Sequence, residues 1–381
     1  MVAPTPVPKP APEFAPLFEA LTGHHPYPWQ QRLFDLLLLG EIPADIGLPT
    51  GSGKTSIMVV WLIAVTAGAP VPRRLVWVVD RRVVVDQATT EAEQLAIRIS
   101  EASASPALRD FRDAVGGVSL TASEGELAIS TLRGEKEDNR AWSKDPSRPA
   151  IIVGTVDMIG SRLLFSGYGD GRSRRASHAG LLGHDVLLIN DEAHLTLAFA
   201  SLIGKLAKME SNTARVKQLR IVRLSATHQS GHPCWPESLA EDQKQPEFHK
   251  IFKAPKHLGI VPAGKQHSKL LELATAPGLA RILIFLRKPN EVREVAKTLT
   301  RKLGNKSERI ICLTGTMRGF ERDQLIRHPV FQEFGAARMP SQSCWLIATS
   351  AAEVGVNISS DRLITDLETA DHLIQRSLKQ S

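Results

Sequence analysis

Apolar residues along the chain fall into two kinds of run. Short, unbroken ones occur at "DIGLPT" (45–50), "RLVWVVD" (74–80), "AIIVGT" (150–155), "DVLLIND" (185–191) and "RIVRLSAT" (220–227). They lack the alternation of a half-exposed strand, which predicts strands buried on both faces. Between them lie segments with helical character, from Lys54 to about Ala67 and through "VVVDQATTEAEQLAIRIS". Buried strands alternating with helices predict an α/β fold around a parallel sheet. A polar, proline-bearing stretch from Ser230 to Lys256 interrupts the pattern. It resumes at "RILIFL" (281–286), "RIICLTG" (309–315), "CWLIAT" (344–349) and "RLITDL" (362–367). Two tandem domains of the same style are expected, over 24–245 and 257–381. Residues 1–23, opening with a Pro- and Ala-rich run, are expected to form a disordered lead-in.

Composition changes this picture little. With 43% hydrophobic residues, 381 residues can fill two ordinary cores. A formal charge of +7 is compatible with a nucleic-acid partner without requiring one. Cys234, Cys312 and Cys344 are few, scattered and odd in number, which suits a reducing cytoplasm rather than a disulfide framework. The spacing of His228, His232 and Cys234 matches no common zinc pattern and reads as loop. The longest apolar run, Ile57 to Val71, is too short to span a membrane and contains Gly68 and Pro70. No membrane role is expected.

The chemistry begins at "GLPTGSGKTS". A strand, a glycine turn and a helix form a phosphate-binding loop. Gly51 and Gly53 let the backbone N–H groups of Thr50 to Thr55, Ser52 among them, point inward at phosphate oxygens. Lys54 is placed for the β- and γ-phosphates of ATP, and the Thr55 hydroxyl for Mg²⁺. Leu48 stands where the strict pattern has glycine, and a chance glycine turn before a core helix is the competing reading. Such a loop needs an acidic partner at another strand end, and "LLINDEAHL" supplies one. Asp191 is placed to hold Mg²⁺ through water, and Glu192 to take a proton from the attacking water. Taken alone, "DEAH" could be a surface helix cap.

These motifs, in this order, resemble those of superfamily 2 helicases. "YPWQQRLF" resembles the segment whose glutamine, here Gln30, reads adenine. "VVDRRVVVDQA" resembles motif Ia, and "TLRG" and "GTVDMIGSR" the other strand-binding motifs of the first domain. "LSAT" resembles motif III, "LIFLRKPNEV" motif IV, "IATSAAEVGVNIS" motif V and "DHLIQR" the start of motif VI. The resemblance implies two RecA-like domains. It implies coupling roles for His194, Ser225, Thr227 and Gly355, and catalytic roles for Gln375 and Arg376. It also implies phosphate contacts by Arg81, Arg82, Arg133, Thr155, Arg162 and Thr349. For each of these arginines, a solvated surface position is an even alternative, as it is for the basic "GRSRR" loop.

The segments "VWVVDRRVVVDQA", "LRGEKEDNRAWSKDPSRPAIIVGTVDMIGSRLLFSGYG" and "HAGLLGHDVLLINDEAHL" narrow the resemblance. Together they look like the CRISPR-associated helicase–nuclease of type I systems, most like its type I-U (I-G) variant, over about residues 24 to 376. That family implies an ATP-driven motor on single-stranded DNA, recruited by an RNA-guided surveillance complex. Two departures stand out. Asn357 replaces a common aspartate of motif V. Motif VI runs from "QR" into "SLKQS", so its later arginines and the C-terminal nuclease domain are expected to be absent, the second domain to be incomplete and hydrolysis to be feeble. His184 and Asp185 are not that nuclease. A motor from a restriction or repair system and a non-catalytic module binding ATP and DNA stay open as alternatives.

Overall fold

The computed structural model describes all residues except 1–12, 50, 81, 102–105, 120–126, 133–138, 211–218, 226–233, 247, 250–256, 262–265, 279, 336–341, 353–357 and 378–381. The chain divides into two compact units, Met1–Phe252 and Lys253–Ser381.

In the first unit the strands are β1 (Asp45–Gly47), β2 (Arg74–Val79), β3 (Ala128–Leu132), β4 (Ala150–Thr155), β5 (Val186–Asn190) and β6 (Leu219–Ser225). They form a parallel sheet in the order β1-β6-β5-β2-β4-β3. Every residue of β2, β4 and β5 is buried, as unbroken apolar runs require. β3 is the strand that the apolar runs did not reveal. It lies at the sheet edge with alternating burial, so "AISTL" carries only half of a hydrophobic signal.

The helices of this unit are α1 (Phe14–Thr22), α2 (Pro28–Leu38), α3 (Ile57–Thr66), α4 (Arg82–Ser100), α5 (Pro106–Val118), α6 (Ala141–Lys144), α7 (Val156–Leu163), α8 (Arg172–Gly183) and α9 (Leu197–Glu210). α3 is apolar on all sides and buried from Ile57 to Val65, so it needs cover besides the sheet. α1, α2 and α5 provide it. This corrects the expectation of a disordered lead-in over residues 14–22. Phe14, Leu17, Phe18 and Leu21 make a helical stripe, buried with Phe14 stacked on Phe34 at 4.7 Å. The Pro- and Ala-rich composition upstream hid that stripe.

The stretch between the two strand patterns also does more than link them. Trp235 pairs beside β1, donating its N–H to the Asp45 carbonyl and accepting from Gly47 N. Asp242 and Phe248, farther along, are fully buried.

The second unit holds β7 (Arg281–Phe285), β8 (Ile310–Leu313), β9 (Cys344–Ala348) and β10 (Arg362–Thr365), parallel in the order β10-β7-β9-β8. Arg281 grips Asp361 with two guanidinium nitrogens at 3.0 and 2.9 Å, fixing the start of β7 beside that of β10. The helix Pro289–Leu303 covers this sheet through Val292, Val295 and Leu299.

Candidate nucleotide site

Adjacent strands β1, β6 and β5 bring three distant motifs to one edge of the first sheet. Gly47 is in register with Ser225, and Asn190 with Arg223, so the turn after β1, the end of β6 and the turn after β5 lie side by side. The carboxyl ends of strands in an open parallel sheet are where ligands bind.

The turn after β1 is built on backbone that only glycine adopts freely. Gly51 has φ 85° and Gly53 φ 78°. The helix does not begin directly at Lys54. Lys54–Ser56 form a tight 3-10 turn before α3 starts. Lys54 Nζ lies 2.9 Å from Glu192 Oε1, with both side chains only about an eighth exposed (12% and 13%).

Asp191 follows β5 and donates its N–H to the Val78 carbonyl at 2.9 Å. Glu192, at φ 50°, takes a left-handed turn that carries its carboxylate toward the phosphate loop. Burial raises the Asp191 carboxyl to about 6; Lys54 pulls it back down, while the Glu192 charge adds to the rise. A carboxylate held this uncomfortably beside an ammonium and a second carboxylate suits a divalent cation. His194 continues the line. Its Nδ1 is 3.6 Å from Glu192 Oε2 and 3.2 Å from Ser225 Oγ.

A second set of contacts holds the loop from behind. Trp29 Nε1 donates to the Ser52 carbonyl at 3.2 Å, and Trp29 N donates to Asp242 Oδ1 at 2.7 Å. Asp242 also accepts from Arg32 at 2.8 Å. Gln30 Oε1 accepts from Tyr27 N, and Gln30 Nε2 donates to Ser56 Oγ, both at 2.7 Å. Ser56 Oγ in turn donates to the Gly53 carbonyl at 2.7 Å. Phe248 meets the Tyr27 ring edge-on, 5.0 Å between centroids. Asn190, wholly buried, exchanges hydrogen bonds with the Thr196 hydroxyl at 3.0 and 3.1 Å and so anchors the acidic turn.

Sequence reasoning missed Trp29, Asn190 and Asp242. Asn190 was findable, as a polar residue inside the apolar run "LLIN". Asp242 was not, because its partner Trp29 lies 213 residues away.

Several assigned residues lie elsewhere. Arg162 is buried. It is 4% exposed, pairs with Asp170 at 3.3 Å and donates to the Met158 carbonyl at 3.1 Å. Thr155 is buried and spends its hydroxyl capping α7, accepting from Met158 N at 3.4 Å. Thr349, also buried, accepts from Ala351 N at 3.5 Å. Arg376 is 1% exposed, donates to the Thr365 hydroxyl and the Asp366 carbonyl, and lies 4.9 Å from the centre of the Phe285 ring. These partners all lie in its own unit. Thr50, Arg81, Arg133, Thr227, Gly355 and Asn357 lie outside the described residues, as do His228 and His232; Arg82 and Gln375 are described only as helix positions. Among the described residues no group of His, Cys, Asp and Glu could hold a metal by itself. No described helix is long and apolar enough to cross a membrane.

The family described as type III restriction enzyme, res subunit, matches residues 24–230. That described as CRISPR-associated nuclease/helicase Cas3, C-terminal, matches residues 280–377. No curated protein sequence matches the chain. Among solved structures, the DUF1998 helicase MrfA bound to DNA is 15% identical with a TM-score of 0.65, over 98% of this chain and 50% of its own. The Mycobacterium smegmatis helicase Lhr bound to ssDNA and AMP-PNP is 15% identical with a TM-score of 0.57, over 96% of this chain and 45% of its own. T. fusca Cas3 with ADP is 16% identical with a TM-score of 0.57, over 96% and 44%. The chain therefore spans about half the length of these relatives, and at such identities the likeness is one of fold: two RecA-like domains in tandem. The first of these families covers more than half of the chain, which therefore belongs to the type III restriction enzyme res-subunit family, while residues 280–377 are similar to the C-terminal part of the CRISPR-associated nuclease/helicase Cas3.

Proposed function

We propose that this chain is the motor of a CRISPR defence nuclease, moving along single-stranded DNA at the expense of ATP. The observation that carries the reading is the convergence of Lys54, Asp191 and Glu192 on a glycine turn at the carboxyl edge of the first sheet. Residues 24–245 would be the nucleotide-binding half and 257–381 its partner half. The amides of Gly51, Ser52 and Gly53 would cradle the phosphates, with Lys54 on the β- and γ-phosphates and Thr55 and Asp191 holding Mg²⁺. When bound, that ion neutralises phosphate charge. Glu192 then takes a proton from the attacking water.

Adenine selection follows from counting. A glutamine amide has two N–H donors and two lone pairs on oxygen. Gln30 commits one of each, to Ser56 and to Tyr27, and keeps one of each. The adenine edge offers an N–H and an acceptor nitrogen, which take that remaining pair, whereas the matching guanine edge offers two acceptors.

The relatives described as DNA-bound, MrfA and Lhr, favour DNA as the track. The Cas3 match over 280–377, with the connecting segments of the first domain, favours recruitment by an RNA-guided surveillance complex of the type I-U (I-G) kind, in the cytoplasm. The match over 24–230 favours a second reading, a restriction-type motor. ATP turnover measured with and without single-stranded DNA tests the motor: absence of any stimulation would contradict it. Co-purification with the RNA-loaded surveillance complex, or its failure, separates the two readings.

A further inference from the structure

The loop joining α7 to α8 carries exposed apolar rings beside a cluster of arginines. Phe165 is 59% exposed and Tyr168 64%. Arg172, Arg174 and Arg175 follow within the first turn of α8. Leu164, next to Phe165, is 52% exposed as well, and a run of exposed apolar side chains rimmed by charge marks an interaction surface.

The loop is built, not slack. Phe165 has φ 58°, an unusual conformation for a bulky side chain, and is held there by its N–H on the Arg162 carbonyl at 3.0 Å. Beneath it, Asp170 meets Arg162 at 3.3 Å and His178 Nδ1 at 2.9 Å, with all three side chains under a tenth exposed. A Cβ on Gly167 would come within 2.2 Å of Asp170 Oδ2, so the loop wraps its buried carboxylate closely. Asp170 is paired inside with Arg162 and His178, while Arg172 is exposed and Arg174 and Arg175 are half-buried, the last donating its Nε to the Asp170 carbonyl at 3.4 Å. The surface is therefore cationic and aromatic together.

We infer that Phe165, Tyr168 and the arginines at the start of α8 form a base-stacking contact for single-stranded DNA. A polyanion with flat apolar faces matches both features at once: phosphates meet the guanidinium groups and bases stack on the rings, without sequence preference. An acidic protein partner would match the charge too, and the abasic strand below tells it from a stacked base. This contact rests on the motor reading above and adds a grip in the first unit that no phosphate-binding motif supplies.

Fluorescence anisotropy with a labelled thymidine oligonucleotide and its abasic counterpart, on the full chain and on Phe165→Ala/Tyr168→Ala, separates the possibilities. The double variant should bind the normal strand roughly tenfold or more weakly, bind the abasic strand as the parent does, and bind ATP unchanged. Arg172→Ala/Arg174→Ala/Arg175→Ala should weaken both strands and flatten the salt dependence. Parent-like affinity of the double variant for the normal strand, or an equal loss on both strands, would overturn the stacking contact alone and leave the surface to a protein partner. Failure of the parent to bind any single-stranded DNA would overturn the motor reading and the contact with it.

Discussion

Lys54 and Glu192 form an ion pair of 2.9 Å across the ends of β1 and β5. The ammonium assigned to the phosphates and the carboxylate assigned to the water are therefore each other's partners. Phosphate oxygens and Glu192 compete for one cation. Lys54→Ala should remove ATP binding, because backbone amides alone leave the phosphate charge uncompensated. Glu192→Gln should keep or tighten ATP binding, since the competitor becomes neutral, while hydrolysis falls about 10²–10⁴-fold for lack of a proton acceptor. Titration with a fluorescent ATP analogue and steady-state turnover check both; normal turnover by Glu192→Gln would remove it from the chemistry.

Asp191 makes a prediction about pH. Its folded value of about 6 stands above the ordinary 3.8, so the folded state holds more protons than the unfolded one between those limits. Stability contributed by this group therefore falls as pH rises through that window, and the penalty is complete above about pH 6. Asp191→Asn removes the penalty. Thermal melts should show a gain of about 3 kcal/mol at pH 8 that shrinks at pH 5, with ATP hydrolysis lost. An equal gain at both pH values would mean that the carboxylate is not the source.

Asp242 should matter to the nucleotide site although no motif contains it. Its carboxylate serves Trp29 N and Arg32, and Trp29 in turn holds the Ser52 carbonyl. Asp242→Ala leaves a buried N–H without an acceptor, which costs about 1–3 kcal/mol. It should also raise KM for ATP more than it lowers kcat, because the loop's resting shape loosens while Glu192 stays. A variant with lowered Tm and unaltered KM would limit Asp242 to packing.

Arg162 should behave as a structural residue. Removing it leaves Asp170 buried with only His178 beside it, and breaking a buried pair costs about 3–5 kcal/mol. Arg162→Ala should melt markedly lower than the parent, while the slope of DNA affinity against salt stays the same. A slope reduced by about one would return Arg162 to the phosphate contacts.

Much of this protein was legible in the chain alone. Buried parallel strands are largely apolar, so nearly all of the strands stood out, β3 excepted because its buried face carries Ser130 and the small Ala128. The glycine turn and the acidic box were equally plain, because phosphate chemistry admits few residues at those positions. What the sequence could not decide was where long side chains spend their charge. Arg162 reads as a phosphate contact and Arg376 as a catalytic group in their motifs, and folding brings Asp170 to the one and Thr365, Asp366 and Phe285 to the other. Asp242 shows the reverse: a residue in an unremarkable polar stretch becomes a strut of the phosphate loop because folding carries it to Trp29. Local pattern determines the strands and the turn, since their physics is local. Pairing of charges is decided only in three dimensions, because it depends on which distant group arrives within a few ångströms.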